Sequence, residues 1–267
     1  MSFAGEAMSW SVRDEVLEVA LHHGPCNEIG SQSLDELEGL ASVVLDGSEG
    51  AKALLIYSEQ PGFCAGADLR ELHFGMCERR AAGLPVDGDV RVFIDRIHRV
   101  FDIIDMAPLT TISAVHGVCF GGGFELALTT DMIIADKSAR FCFPELRLGL
   151  VPGFGGIPRL NRDVGNAIVR DLLFTGRSLN ASRAQTIGLV AQVVPRDEAL
   201  AAARRVAAQV VRFDAHTVAA AKSFAKALPA AELAREREIF CQLITQPAVA
   251  EALQKFVDSD DVRPYLP

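Results

Sequence analysis

The chain has 267 residues, 49% hydrophobic and 23% charged, enough apolar material for one sizeable core with a helical appendage. Its formal net charge of −9 excludes a global basic field for nucleic acid or an anionic membrane. Six scattered cysteines without a CxxC pair argue against a disulfide scaffold or a zinc site.

Met1 to Glu6 has neither a basic region nor a long apolar core, and later apolar runs are too short and broken to span a membrane. The expectation is a cytoplasmic protein. Over residues 9–22, Val12, Val16, Val19 and Leu21 interleave with Arg13, Asp14, Glu15 and Glu18, predicting a hairpin or two short strands that end before Gly24-Pro25. Ser33-Leu34-Asp35-Glu36 has a capping-box pattern, and Leu34, Leu37, Ala41 and Val44 give the following helix an apolar stripe.

Ala53-Leu54-Leu55-Ile56-Tyr57 is a continuous apolar run, as expected of a strand buried on both faces. After it comes the small-residue turn Cys64-Ala65-Gly66-Ala67-Asp68. Residues 74–90 read as irregular, with Gly75, Gly83, Pro85 and Gly88. Val90, Phe93, Ile94, Ile97, Val100, Phe101 and Ile104 then follow helical spacing.

A second buried strand, Thr110 to Val115, runs into Gly117 and the triple glycine 121–123, with helix from about Gly122. Met132 to Ala135 and Ala139 to Cys142 read as short strands, and a glycine-rich loop, 149–156, follows Glu145. Beyond about residue 163 the pattern is mostly helical, with one strand near Val190 to Val194 and helices punctuated by Pro229 and Pro247. Strand, loop and helix repeat, and then helices alone remain. This predicts an α/β fold with a core over residues 1–200 and a helical region over 201–267.

Two carboxylates stand out, Glu125 at the end of Gly121-Gly122-Gly123-Phe124-Glu125 and Glu145 after Phe143-Pro144. A pair of carboxylates can move protons or hold a water, and small-residue turns expose N–H groups that can receive a developing negative charge. Taken singly, each has a plain reading: Glu125 as a first-turn surface residue, Glu145 as a solvated loop residue, Asp68 as the N-cap of Leu69-Arg70-Glu71-Leu72. The glycines carry no Gly-Lys-Ser/Thr, so they form no phosphate loop. The histidines have no metal spacing, and no Gly-x-Ser-x-Gly elbow or dinucleotide fingerprint occurs. One Trp and two Tyr offer few surfaces for sugar stacking, which weighs against a glycosidase pair.

Read together, Phe63 to Leu69, Ala114 to Ala127, Phe143 to Gly149 with Pro152 to Gly156, and Thr175-Gly176-Arg177 with Ala184 to Val194 resemble the enoyl-CoA hydratase/isomerase (crotonase) superfamily. Four motifs occur in the right order over roughly residues 10–215, and the likeness fades over the last 50. The resemblance implies a spiral of ββα units, a helical C-terminal trimerisation region, and homotrimers or homohexamers. It implies an acyl-CoA thioester as substrate, with coenzyme A belonging to that substrate and no separate cofactor or metal. By motif position, the N–H groups of Ala67 and Gly122 would form the oxyanion hole. Glu125 and Glu145 would hold one water, with Glu125 as base and Glu145 as α-proton donor. Ala65 would lie against the CoA, and Gly66, Asp68, Gly121, Pro144 and Gly153 would line the substrate.

Having both glutamates favours a hydratase, a carbon–oxygen lyase, over family isomerases that keep only the second. Gly153 stands where dienoyl isomerases carry aspartate. The alternatives are isomerisation, dehydration or decarboxylation of a branched or polyketide-type acyl thioester, or a non-catalytic RNA-binding relative. The negative charge and the two glutamates oppose the last. The chain departs from the family pattern in three places. Residues 74–90 look like an insertion beside the acyl pocket. Pro25-Cys26-Asn27-Glu28-Ile29 replaces a common N-terminal turn. Phe256 to Asp261 is acidic where relatives are basic, which raises a carrier-protein thioester as a substrate form.

Overall fold

In the computed structural model residues 2–259 are described, so Asp260 and Asp261 of the acidic C-terminal segment lie outside the described residues. The strands β1 (Ser2–Ala4), β2 (Met8–Arg13), β3 (Val16–Leu21), β4 (Ala53–Ser58), β5 (Thr110–Val115), β7 (Met132–Asp136) and β10 (Gln192–Val194) form a seven-stranded sheet in the order β1-β2-β3-β4-β5-β7-β10. The first three pair antiparallel and the rest parallel. A smaller sheet joins β6 (Val118–Phe120) in parallel to β8 (Arg140–Cys142), which pairs antiparallel with β9 (Leu179–Asn180).

Successive side chains of a strand point to opposite faces, and β4 feeds two cores accordingly. Leu54 and Ile56 pack on one side with α1 (Ser31–Leu45) and α3 (Asp87–Asp105), while Ala53 and Leu55 pack on the other with Ala202, Ala203 and Ala207 of α8 (Ala199–Val210). The alanine face lets α8 lie close to the sheet. The boundary read at residue 200 thus falls inside a helix that covers the parallel strands. The stripe expected on α1 is buried at all four positions. On α3, Ile94, Ile97, Val100, Phe101 and Ile104 are buried, each worth about 1.5–3 kcal/mol when fully removed from water.

Two local expectations are corrected. Ser33 is inside α1 and does not cap it; its hydroxyl donates to the Glu28 carbonyl. The helix begins after Gly30, and Glu71 of α2 (Leu69–Ala81) accepts the Ser31 N–H at 3.0 Å. Glu36 turns instead to the start of the hairpin, where it accepts from the N–H groups of Glu6, Ala7 and Met8. Residues 74–90 are mostly helical: α2 runs to Ala81 and α3 starts at Asp87, because Asp68 caps α2 and Arg79 draws the chain back by donating to the Pro85 carbonyl and pairing with Asp89.

Around the sheets lie α4 (Gly122–Ala127), a 3₁₀ turn at Glu145–Leu148, α5 (Gly156–Val164), α6 (Asn166–Thr175), α7 (Ala181–Thr186), α9 (Ala215–Ala225), α10 (Ala230–Leu243) and α11 (Pro247–Val257). Pro229 and Pro247 stand at the starts of α10 and α11, where a missing N–H costs nothing.

Candidate active site

The small-residue turn and the glycine run touch. Cys64 donates its N–H to the Val118 carbonyl at 3.1 Å, and Phe120 returns one to the Cys64 carbonyl at 3.0 Å. The two segments are so close that a Cβ on Gly123 would lie 2.4 Å from the Cys64 carbonyl oxygen. Further along, Ile29 donates to the Gly66 carbonyl and Asp68 to the Ile29 carbonyl. In an extended segment this turns the N–H of the intervening Ala67 to the opposite side. There it meets the start of α4, since the Cβ direction of Gly122 ends 3.4 Å from the Ala67 nitrogen. Gly122 opens the helix, so its N–H has no intrahelical acceptor. Among the described residues no hydrogen bond engages the N–H of Ala67 or Gly122. The pair can hold an oxygen that gains negative charge.

Glu125, one turn into α4, is 2% exposed. Its Oε1 accepts the N–H groups of Phe154 and Gly156, both at 2.8 Å. Burial pushes its carboxyl up to about 7, against the opposing pull of those N–H groups and of the Arg159 charge. Glu145, the first residue of the 3₁₀ turn, is partly buried, with Oε2 shut away from solvent and without a hydrogen-bond partner. Burial, and then the charge of Glu125, push its carboxyl well above the ordinary carboxylate range. Both carboxyls are thus held toward their protonated forms, and they titrate as a pair.

Both face a cavity of about 70 Å³. At about 30 Å³ for each, about two water molecules fit. Ala65, Gly66, Ala67, Gly121, Gly122, Pro144 and Gly153 line it with the two glutamates. Leu72, Leu148, Leu150, Phe154, Phe240 and Phe256 supply its apolar wall, and Glu28 stands at its edge. Asp68 lies elsewhere: its carboxylate accepts the N–H groups of Arg70 and Glu71 as the N-cap of α2. It borders a second cavity of about 470 Å³ between α2 and α3, walled by Phe74, Met76, Val90, Phe93 and Ile94. Ala67, Leu72, Phe154 and Phe240 line both cavities. Val90 and Phe93, expected in a helical stripe, are thus cavity walls and only partly buried.

Several residues at the site have no sequence motif. The turn 153–157 presents its N–H groups to Glu125 and is held from other sides. His98 of α3, buried and with its ring pushed down to about 4 chiefly by that burial, is a neutral donor to the Gly153 carbonyl at 2.9 Å. Arg159, fully buried, donates to the carbonyls of Phe154 and Gly155 and to Asp102 and Asp105. Glu236 of α10, 4% exposed, accepts the Ile157 N–H at 2.8 Å. An i to i+3 spacing does relate Asp102 to Asp105 on α3, which is the one local signal for this network. Among the described residues no group of three or more His, Cys, Asp or Glu side chains could hold a metal ion, and no helix is long and apolar enough to cross a membrane.

The enoyl-CoA hydratase/isomerase family model matches residues 12–263. A probable enoyl-CoA hydratase of Mycobacterium tuberculosis is 31% identical over 236 residues, covering 87% of each chain. A probable enoyl-CoA hydratase of Bacillus subtilis is 34% identical over 206 residues, covering 73% of this chain and 75% of its own. The crystal structure of an enoyl-CoA hydratase from Mycobacterium avium subsp. paratuberculosis superposes with a TM-score of 0.81 over 93% of this chain and 98% of that one. At 22% identity that likeness is one of fold.

Proposed function

The chain belongs to the enoyl-CoA hydratase/isomerase family, and on that premise we propose that it adds water across the α,β double bond of an enoyl-CoA thioester. One observation carries this reading. Two carboxyl groups, Glu125 buried and Glu145 with its Oε2 shut away from solvent, face one small cavity beside two unengaged backbone N–H groups.

The thioester carbonyl is received by the N–H groups of Ala67 and Gly122. Glu125, as carboxylate, takes a proton from water as the water oxygen bonds to the β-carbon. The electron pair of the double bond moves toward the carbonyl oxygen as an enolate, which the two N–H groups stabilise. Glu145, as acid, delivers its proton to the α-carbon. Glu125 has then gained one proton and Glu145 has lost one. Transfer between them restores the starting state, and the net change is one water added.

The acyl group extends past Phe154 toward the cavity between α2 and α3. Its volume and the apolar faces of Phe74, Met76, Val90 and Phe93 support acyl chains longer than four carbons. The working form is taken to be a cytoplasmic homotrimer or a pair of trimers, an assembly that sedimentation would check.

The test is to incubate the purified protein with crotonyl-CoA and with longer, branched and aromatic 2-enoyl-CoAs. Loss of the enoyl thioester absorbance and recovery of the 3-hydroxyacyl-CoA are expected. Migration of the double bond without hydration would replace this reading by an isomerase.

A further inference from the structure

Glu236 is a third buried carboxylate at this site, and the hydration steps leave it without a task. It reaches the site from α10, in the helical C-terminal stretch. Its Oε2 accepts the Ile157 N–H at 2.8 Å, the Gly155 N–H adds a lesser pull, and Oε1 is buried with no hydrogen-bond partner. Two amides are too little to hold a buried negative charge.

Of the charged groups around it, Arg159 favours its ionisation, but by less than burial and the charge of Glu125 oppose it. Arg159, facing it from α5, is committed to Asp102, Asp105 and two carbonyls. Glu125, from α4, faces it with its own negative charge. On α10 itself, Arg237 and Glu238 pair with Asp95 and Arg91 of α3. Burial, and after it the charge of Glu125, push the Glu236 carboxyl well above the ordinary range.

Glu125 and Glu236 grip one turn from two directions. Glu125 takes the N–H groups of Phe154 and Gly156, and Glu236 takes that of the next residue, Ile157. Releasing Ile157 would let Gly156 swing and would weaken a donor on which the Glu125 carboxylate depends. We propose that Glu236 is a positioning residue whose carboxyl pins Ile157 so that the Phe154 and Gly156 N–H groups stay aimed at Glu125. Its neutrality matters, because a charge there would oppose ionisation of Glu125. The inference rests on the hydratase reading, in which Glu125 is the base.

Glu236→Gln and Glu236→Ala decide the matter. Glutamine keeps an acceptor for Ile157 and mimics the protonated acid, so kcat should stay within about threefold and the acid limb of its pH profile should not move. Alanine should lower kcat by about 10–100-fold and shift the acid limb up by about half a pH unit or more, with KM nearly unaffected. A second readout needs no turnover. A ¹³C-labelled glutamate carboxyl resonance that is lost in Glu125→Gln follows the Glu125 ionisation directly. Total inactivity of the wild type would therefore sink the hydratase reading while leaving this titration to judge Glu236. A downward shift of the Glu125 titration in Glu236→Gln would show that Glu236 carried a charge, and an upward shift that glutamine cannot hold Ile157; either would overturn the proposal. So would a folded Glu236→Ala protein with an unmoved titration. If the alanine variant fails to fold, the glutamine arm decides alone.

Discussion

Gly121 and Glu145 are so close that a Cβ on residue 121 would fall 2.8 Å from Oε1 of Glu145. Gly121 also adopts φ +49° with ψ −126°, a conformation that favours glycine. Gly121→Ala should therefore displace the Glu145 carboxyl and reduce kcat by about 100-fold or more. KM for the CoA thioester should change far less. Steady-state kinetics beside a thermal melt checks this; wild-type kcat in a folded variant would remove Glu145 from its assigned role.

The raised ionisation of Glu125 makes stability depend on pH. Its carboxyl titrates at about 7 in the folded chain, against an ordinary value of 4.5. The folded state then holds the proton more tightly than the unfolded one. The resulting stabilisation is fully present below about pH 4.5 and is lost as pH rises through about 7, a change of roughly 3 kcal/mol. Glutamine at this position does not titrate. The Tm of Glu125→Gln relative to wild type should thus rise by roughly 5 degrees or more between pH 5 and pH 8. A constant difference would contradict the buried, raised carboxyl.

Arg159 joins the acidic side of α3 to the turn that serves Glu125. Its removal would leave the Phe154 carbonyl and Asp102 short of a partner, and Asp105 dependent on Arg162 and Lys226 alone. Arg159→Met should destabilise the protein by about 3–5 kcal/mol in urea unfolding. A loss under about 1 kcal/mol would show that the network relaxes around the gap.

The cavity between α2 and α3 gives a selectivity prediction. Val90 stands on its wall, away from both glutamates. Val90→Trp should lower kcat/KM for long-chain 2-enoyl-CoAs by about tenfold or more while sparing crotonyl-CoA. Equal losses for short and long substrates would place the acyl chain elsewhere.

Glu125, Gly121, Gly122, Glu145 and Ala67 were legible because each sits in a short motif whose backbone shape is local. The apolar runs of β4 and β5 and the stripe of α3 were legible by periodicity. Glu236 was not, since Arg235-Glu236-Arg237-Glu238 reads as a solvated charge run until α10 folds back and buries one member. His98 and Arg159 were hidden for the same reason: their partners lie 55 and 54 residues away in the chain. The capping box at Ser33 misled because Glu71, 40 residues beyond Ser31, supplies the acceptor at the start of α1. Glycine and proline in residues 74–90 suggested irregular chain, but Asp68 and Arg79 provide the cap and the clasp that let two helices form there.

The most direct measurement is the turnover of 2-enoyl-CoA by Glu125→Gln, Glu145→Gln and the double variant, each confirmed folded. The account predicts that each single change lowers kcat by about 10²–10⁴-fold and that the double variant is little worse than either, because the two carboxylates act as a unit. Hydration that survives both substitutions at near wild-type rate would contradict it.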